Sequence, residues 1–441
     1  MNISILTVFK ELYTPFLNTS LIKRAQDDHR VAFDLDSFFS YVDSKKRIDA
    51  PSFGPGAGML IKPEVVEKGI DDLEKKHGKA YKIFFSPHGK KLDQHLLQHI
   101  ARKAQEAKHL MLIPARYEGM DARVEEKYAD EIVSVGDFVL MGGDVPAMLL
   151  LEGMLRLIPG VVGKQESVEE ESFTGPFVDY PEYTEPVDWH GMQVPEVIRS
   201  GHHAEIKKWR QNEAAKRTVL GHFDWMRTQF LDKKQQKLVR NFIPSHYVAL
   251  MHGDVVVDGQ SGNSSVMSID IHDIARSSAT YGMQDYFIVT PLKDQQKIVL
   301  KFLSFWDIQG PSYNQNRHEA ITRVKVQESL DEVLKAIEKK EGKRPLLIAT
   351  SARPVTGAEQ ITFYDQDKLW KQGRPILFVL GTADGLAESM IERCDYILPP
   401  LCGLSDFNHL SVRSAAAIVF DRWLGMNPAF SSKNSKNEIA K

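Results

Sequence analysis

The chain has 441 residues, of which 42% are hydrophobic and 26% charged, and a net charge of −3. That length and composition suit about two or three globular domains with sizeable cores. The near-neutral balance excludes a protein that coats nucleic acid by charge alone. No stretch approaches the roughly 18 apolar residues of a membrane-spanning helix. The two cysteines, Cys394 and Cys402, lack zinc-site spacing and suit a reducing compartment.

In chain order, residues 1–9 read as a strand without the basic start of a secretory leader. Residues 83–87, 110–114 and 131–135 are short apolar runs ended by turn residues, and residues 92–107 carry a helical pattern between them. This alternation predicts a parallel sheet with helices on both faces over residues 1–160. Residues 161–199 read as a linker and active-site loop, with an acidic run at 166–171 followed by Pro176, Pro181, Pro186 and Pro195. Residues 200–244 read as a small, basic helical domain. Residues 245–426 repeat the α/β alternation, and 427–441 is a polar tail expected to be disordered. Both α/β stretches close with a strand, a Gly- or Pro-rich loop and an apolar helix. Every α/β protein has such units, so the recurrence fits either coincidence or two copies of one architecture.

Ligands in such sheets sit beyond the carboxyl ends of the strands. No GxxxxGK[ST] or GxGxxG phosphate cradle occurs, and the glycines cluster instead at Gly54/Gly56/Gly58, Gly136 and Gly142/Gly143. Such loops let backbone groups approach a ligand closely. Arg116-Tyr117-Glu118-Gly119 follows an apolar strand and sets a cation, a ring and a carboxylate at the ligand end. By itself this segment reads as a charged turn nearly as well as a cofactor site. The clusters Lys90-Lys91, Lys207-Lys208-Trp209-Arg210, Lys216-Arg217 and Lys233-Lys234 are solvated faces or local RNA contacts.

Six segments in order carry a resemblance. They are Ser86-Pro87-His88-Gly89-Lys90-Lys91-Leu92-Asp93-Gln94, Arg116 through Val124, Ser134 through Met148, Arg156-Leu157-Ile158-Pro159-Gly160, Tyr183-Thr184, and Ser200-Gly201-His202-His203-Ala204-Glu205-Ile206. Through them residues 1–243 resemble the bacterial tRNA (guanine-N1)-methyltransferase family of the SPOUT class. The resemblance implies a trefoil-knotted parallel sheet, a homodimer with its active site between subunits, and S-adenosylmethionine as cofactor. The cofactor would lie on Ser86, Pro87, Ala115, Tyr117, Glu118, Gly119, Ser134, Val135, Gly136, Leu140, Gly142 and Gly143. Ala115 stands where the family has glycine, Pro55 interrupts its glycine run, and Glu185 stands where a basic residue is frequent. The partner would be tRNA, at guanine 37, and neither DNA nor a membrane; the location would be cytoplasmic. Glu118 would help hold a magnesium ion, with no dedicated metal site expected.

Guanine N1 carries a proton at neutral pH, so its methylation needs a base, and charge developing toward O6 needs a cation. By family position Arg156 is the cation. Glu171, before Ser172-Phe173, replaces the family's aspartate as base, and Asp179 is the alternative base.

The second half resembles ribose 2′-O-methyltransferases of the SPOUT class in shorter blocks: Ile271 to Gly282, Leu380-Gly381-Thr382-Ala383-Asp384-Gly385-Leu386, and Asn408 to Val419. The resemblance implies cofactor contacts at Leu380, Gly381, Ile397, Asn408 and Ser411, and Arg276 as the residue that activates the ribose. Arg276 reads equally as a surface ion pair, and Asn408 as a helix N-cap. The expected whole is two trefoil-knotted α/β domains with a helical domain between them. The second half is either a catalyst or a cofactor-binding and dimerising module, and a non-catalytic RNA-binding scaffold is the reading from another class.

Overall fold

The computed structural model describes residues 1–54, 58–162, 171–355 and 357–427, which gather into two units, Met1–Gly175 and Pro176–Lys441. The polar tail and most of the acidic run, with Pro55, lie outside the described residues.

The first unit contains β1 (Asn2–Thr7), β2 (Ala32–Ser37), a hairpin of β3 (Asp49–Pro51) and β4 (Met59–Ile61), β5 (Tyr81–Lys91), β6 (His109–Ile113) and β7 (Glu131–Ser134). Five of these form one parallel sheet in the order β2-β1-β6-β5-β7. The alternation of side chains explains why the central strands β1, β6 and the first half of β5 are mostly apolar. Ile3, Ile5, Ile83, Phe85, Leu110 and Leu112 face one core, which the helices Gln94–Ala107 and Asp144–Leu155 cover through Ile100, Ala104, Leu150, Leu151 and Met154. Leu6, Phe84, Met111 and Ile113 face the other, under Val65, Val66, Ile70 and Leu73 of the helix Pro63–His77. A strand buried on both faces has no polar side to present.

Helix boundaries follow local chemistry. Asp93 caps the Gln94–Ala107 helix, its carboxylate accepting from the Leu96 N–H at 2.7 Å, which satisfies a donor that the first turn leaves open. Pro63 opens the Pro63–His77 helix, and Gly78, at φ +87°, ends it.

The second unit begins with a hairpin of β8 (Asp188–Trp189) and β9 (Met192–Gln193) and the helices His203–Gly221, Phe223–Met226 and Lys233–Arg240. Then come β10 (His246–Met251), a hairpin of β11 (Val255–Val257) and β12 (Gln260–Gly262), β13 (Tyr286–Val289), β14 (Val324–Gln327), β15 (Leu346–Ala349), β16 (Glu359–Gln360), β17 (Ile376–Gly381) and β18 (Tyr396–Ile397). A seven-stranded parallel sheet runs β14-β13-β10-β17-β15-β18-β16. Val219, Phe223, Met226, Leu231 and Val239 of the helical stretch enter the same core as Val248, Leu250 and Phe378 of this sheet. The Arg227 guanidinium fastens that stretch further, donating to the carbonyls of Asp421, Arg422 and Gly425 at 2.6 to 2.7 Å.

The two sheets share one topology. Counting the strands of the first sheet in chain order gives the spatial order 2-1-4-3-5. In the second sheet β10, β13, β15, β17 and β18 give the same order, with β14 and β16 added at the edges. The recurring strand, loop and helix at the end of each half is therefore the last unit of two like architectures.

Candidate cofactor and catalytic sites

At the carboxyl ends of β5, β6 and β7 the first unit gathers the residues expected to hold the cofactor. β5 pairs with β7 through Phe85, leaves the ladder over residues 86–89, and rejoins at Lys90 opposite the same Val133. The excursion carries Ser86 and Pro87, half-buried and exposed respectively. Its return is tight, since a Cβ on Gly89 would stand 2.6 Å from the Ile132 carbonyl oxygen. Within it, Ser86 Oγ lies 2.6 Å from His88 Nδ1.

After β6 the chain turns at Tyr117, at φ +60°, and at Gly119, at φ +117°. The turn is fastened to β4: the Glu118 N–H donates to the Met59 carbonyl, and the Ile61 N–H to that of Gly119. Ala115 accepts from the Gly143 N–H at 2.8 Å. A Cβ on Gly142 would stand 2.5 Å from Arg116 Cδ and 3.0 Å from the Ala115 carbonyl oxygen, and one on Gly143 3.0 Å from Pro114 Cα. These glycines let the segment before the Asp144–Leu155 helix lie against the Arg116 loop.

Arg116 is held rather than free. Its Nε donates to Asp144 at 2.6 Å, and Asp144 is fully buried. The same carboxylate accepts from Thr7 Oγ1 at 2.5 Å and Tyr13 OH at 3.0 Å. Burial, with the Asp144 charge, raises the Tyr13 phenol well above its usual range. Ser134, the last residue of β7, is buried; after it Val135 and Gly136 are half-buried, and Leu140 is exposed. Ser134, Val135, Gly136, Ala115, Tyr117, Glu118 and Gly119 thus belong to loops at one edge of one sheet, beside the Ser86 excursion. That arrangement fits a ligand with an adenine base, which backbone groups in such loops can read without a phosphate cradle. For magnesium the fit is thinner: among the described residues no three His, Cys, Asp or Glu side chains cluster.

Arg156 follows directly on the Asp144–Leu155 helix as its C-cap, and its Nη2 is ion-paired with Glu171 Oε1. The two side chains are 47% and 29% exposed, so solvent and a base can reach them. The Glu171 carbonyl accepts from the Thr174 N–H and hydroxyl, which anchors the segment after the acidic run. Asp179 falls in the second unit, exposed.

In the second unit Leu380 is buried in β17 and Gly381 ends that strand. A Cβ on Gly381 would stand 2.5 Å from the Leu386 nitrogen, so the loop folds back on its strand only with glycine there. Ile397 is buried at the end of β18. Asn408 Nδ2 donates to the Ala352 carbonyl at 2.7 Å, tying the loop after β18 to the loop after β15. The N-cap of the Val412–Leu424 helix is Ser411, so Asn408 is a loop brace and not the cap. Arg276 is exposed on the Ser268–Thr280 helix.

Sequence reasoning missed two clusters here. Arg413 lies 3.4 Å from Asp270 and 3.5 Å from Asp273, and burial raises the Asp270 carboxyl above its usual range. His252, fully buried after β10, bonds Ser264 Oγ at 3.0 Å, and Ser264 bonds Thr382 in the glycine-rich loop. Burial pushes His252 down to about 4. Asp273, Arg413 and Thr382 fall inside the quoted blocks, but no local pattern pairs them, since each cluster joins segments remote in sequence.

Residues 1–228 match the family described as tRNA (guanine-1)-methyltransferase TrmD, and residues 245–425 the family described as SAM-dependent RNA methyltransferase. A tRNA (guanine-N(1)-)-methyltransferase of Nitratidesulfovibrio vulgaris is 36% identical over 433 residues, covering 96% of this chain and 99% of the relative. One of Oleidesulfovibrio alaskensis is 37% identical over the same shares. One of Bacillus licheniformis is 38% identical over 241 residues, 54% of this chain and 98% of its own length.

Proposed function

The chain belongs to the tRNA (guanine-1)-methyltransferase family, and on that premise we propose that its first unit methylates N1 of guanine 37 in tRNA. S-adenosylmethionine is the cofactor of both matched families; when bound, it supplies the methyl group on a sulfonium. The Bacillus licheniformis relative, which bears the same name and is matched over only 54% of this chain, supports assigning that activity to the first half.

The observation that carries the catalytic assignment is the pairing of Arg156 with Glu171. Guanine N1–H and O6 are neighbours on one edge of the base. A carboxylate and a guanidinium already within one hydrogen bond of each other suit that edge. Glu171 takes the N1 proton, and Arg156 donates to O6 as charge develops there. The base inserts between two groups that satisfy each other until it arrives. Asp179 is the alternative base.

Glu171→Gln and Arg156→Ala are each expected to lower methyl transfer to a G37 transcript more than tenfold, with cofactor affinity by calorimetry unchanged. Near-normal turnover in Glu171→Gln moves the base to Asp179. Transfer unaffected by replacing G37 overturns the target.

The second unit is proposed to be a ribose 2′-O-methyltransferase, with cofactor on the Leu380, Gly381, Ile397, Asn408 and Ser411 loops and Arg276 toward the ribose. Its alternative is a cofactor-binding or dimerising module without chemistry of its own. Mapping any methyl group that survives in the Glu171→Gln protein separates the two. The trefoil knot, the homodimer and a magnesium ion at Glu118 belong to the same reading. Exposed Phe138, Val139, Leu140 and Met141, with Val145 and Leu149 on the next helix, offer an apolar face for a second subunit. tRNA would meet Lys207, Lys208 and Arg210 on the His203–Gly221 helix, and as a tRNA enzyme the protein would work in the cytoplasm.

A further inference from the structure

His88 stands between two partners. Its Nδ1 lies 2.6 Å from Ser86 Oγ. Its Nε2 lies 3.4 Å from Glu125 Oε2, on the helix Ala122–Tyr128. Glu125 has a side chain only 16% exposed, and burial raises its carboxyl above the usual range, with His88 opposing. The neighbouring lysines are committed elsewhere, Lys90 to Glu131 and Lys91 to Asp137. Glu125 is therefore the charge that His88 answers to.

In the neutral imidazole with its proton on Nε2, the nitrogen that faces Glu125 at 3.4 Å, no proton is left on Nδ1. Nδ1 then has a lone pair and accepts from the Ser86 hydroxyl. Ser86 has one proton, and it is used. What its oxygen has left for a ligand is lone pairs alone.

We propose that His88, held by Glu125, is a positioning residue that makes Ser86 an acceptor-only group in the first unit's cofactor site, so that Ser86 selects an N–H or O–H donor on the cofactor. A ligand with a carbonyl oxygen there sets lone pair against lone pair, which costs more than a missing bond. Three groups of the cofactor can supply the donor: the adenine 6-amino group, the ribose hydroxyls and the methionine ammonium. The proposal rests on the reading that the Ser86–Gly89 excursion holds the cofactor.

The test is calorimetry on the full chain, following the site that Gly143→Val removes. The probes are S-adenosylhomocysteine, its inosyl analogue with a 6-oxo group, its 2′-deoxy analogue, and 5′-methylthioadenosine, which lacks the ammonium. His88→Phe is expected to weaken S-adenosylhomocysteine about fivefold to tenfold, yet not to weaken the one analogue that lacks the selected donor, and to strengthen it where that analogue is the 6-oxo one. His88→Asn, which keeps an acceptor near the Nδ1 position, is expected to restore affinity. Thermal unfolding of both variants should match the parent. An equal loss on all four probes, or none on any, overturns the relay. If Gly143→Val removes no site, the location of the cofactor is wrong instead, and the two failures are told apart.

Discussion

Asp144 is the residue on which the first unit's ligand end depends. One fully buried carboxylate takes hydrogen bonds from Thr7 at the end of β1, from Tyr13 and from Arg116 in the loop after β6. Asp144→Ala would leave a guanidinium and a phenol without their partner, at a cost of roughly 3–5 kcal/mol. Hydrogen exchange should show protection lost across β1, β6 and the 144–155 helix, with the second unit unaffected. His246 is the comparable case in the second unit. It accepts from the Trp423 indole at 3.0 Å and bonds the Pro244 carbonyl at 2.7 Å. Burial holds both His246 and His252 at about 4, below the usual value of about 6.5. Between those values the unfolded chain binds protons that the folded chain refuses. Their contribution to stability is therefore complete above about pH 6.5 and falls as pH drops toward 4, by up to about 1.4 kcal/mol per pH unit for each. All six tryptophans lie within residues 189–423, inside the second unit. Urea unfolding followed by tryptophan fluorescence at pH 7.5, 6 and 5 thus reads this unit alone; a stability flat across that range refutes it.

At the scale of elements, both ligand ends are made by loops that only glycine allows to close. Gly381→Ala would drive a methyl into the backbone of its own loop, 2.5 Å from the Leu386 nitrogen and 2.7 Å from the Gly385 carbonyl carbon. No side chain can move to relieve that contact. Calorimetry is expected to lose the second unit's share of S-adenosylmethionine binding in this variant while the first unit's share stays. Unchanged stoichiometry would mean that the β17 loop does not hold cofactor. The β5 excursion obeys the same logic, because Gly89 permits the return to Val133 that keeps Ser86 and Pro87 out of the ladder.

At the scale of the molecule, one chain carries the 2-1-4-3-5 sheet order twice. Each sheet lies in a segment that matches a methyltransferase family, residues 1–228 and 245–425. The homodimer proposal belongs here. Met141 is 90% exposed and Val139 89%, so Met141→Asp should leave folding intact while raising the dimer dissociation constant at least tenfold in sedimentation. An unchanged dimer would put the interface on another face.

Much of this was legible in the sequence because it is local. Apolar runs buried on both faces wrote β1, β5, β6 and β7, while Ser86, Arg116 through Gly119, and Gly142/Gly143 were singled out by the family resemblance and not by local pattern. Composition and periodicity could not order the strands, since pairing depends on which loops close over which helices. Nor could they find the polar partners. Arg413 meets Asp270 across 143 residues, and Ser264 meets Thr382 across 118. His88 finds Glu125 only because β5 leaves its ladder beside a helix that follows β6. A charged or hydroxyl side chain looks the same in sequence whether it faces water or a buried partner. The tertiary structure decides which, by removing the water.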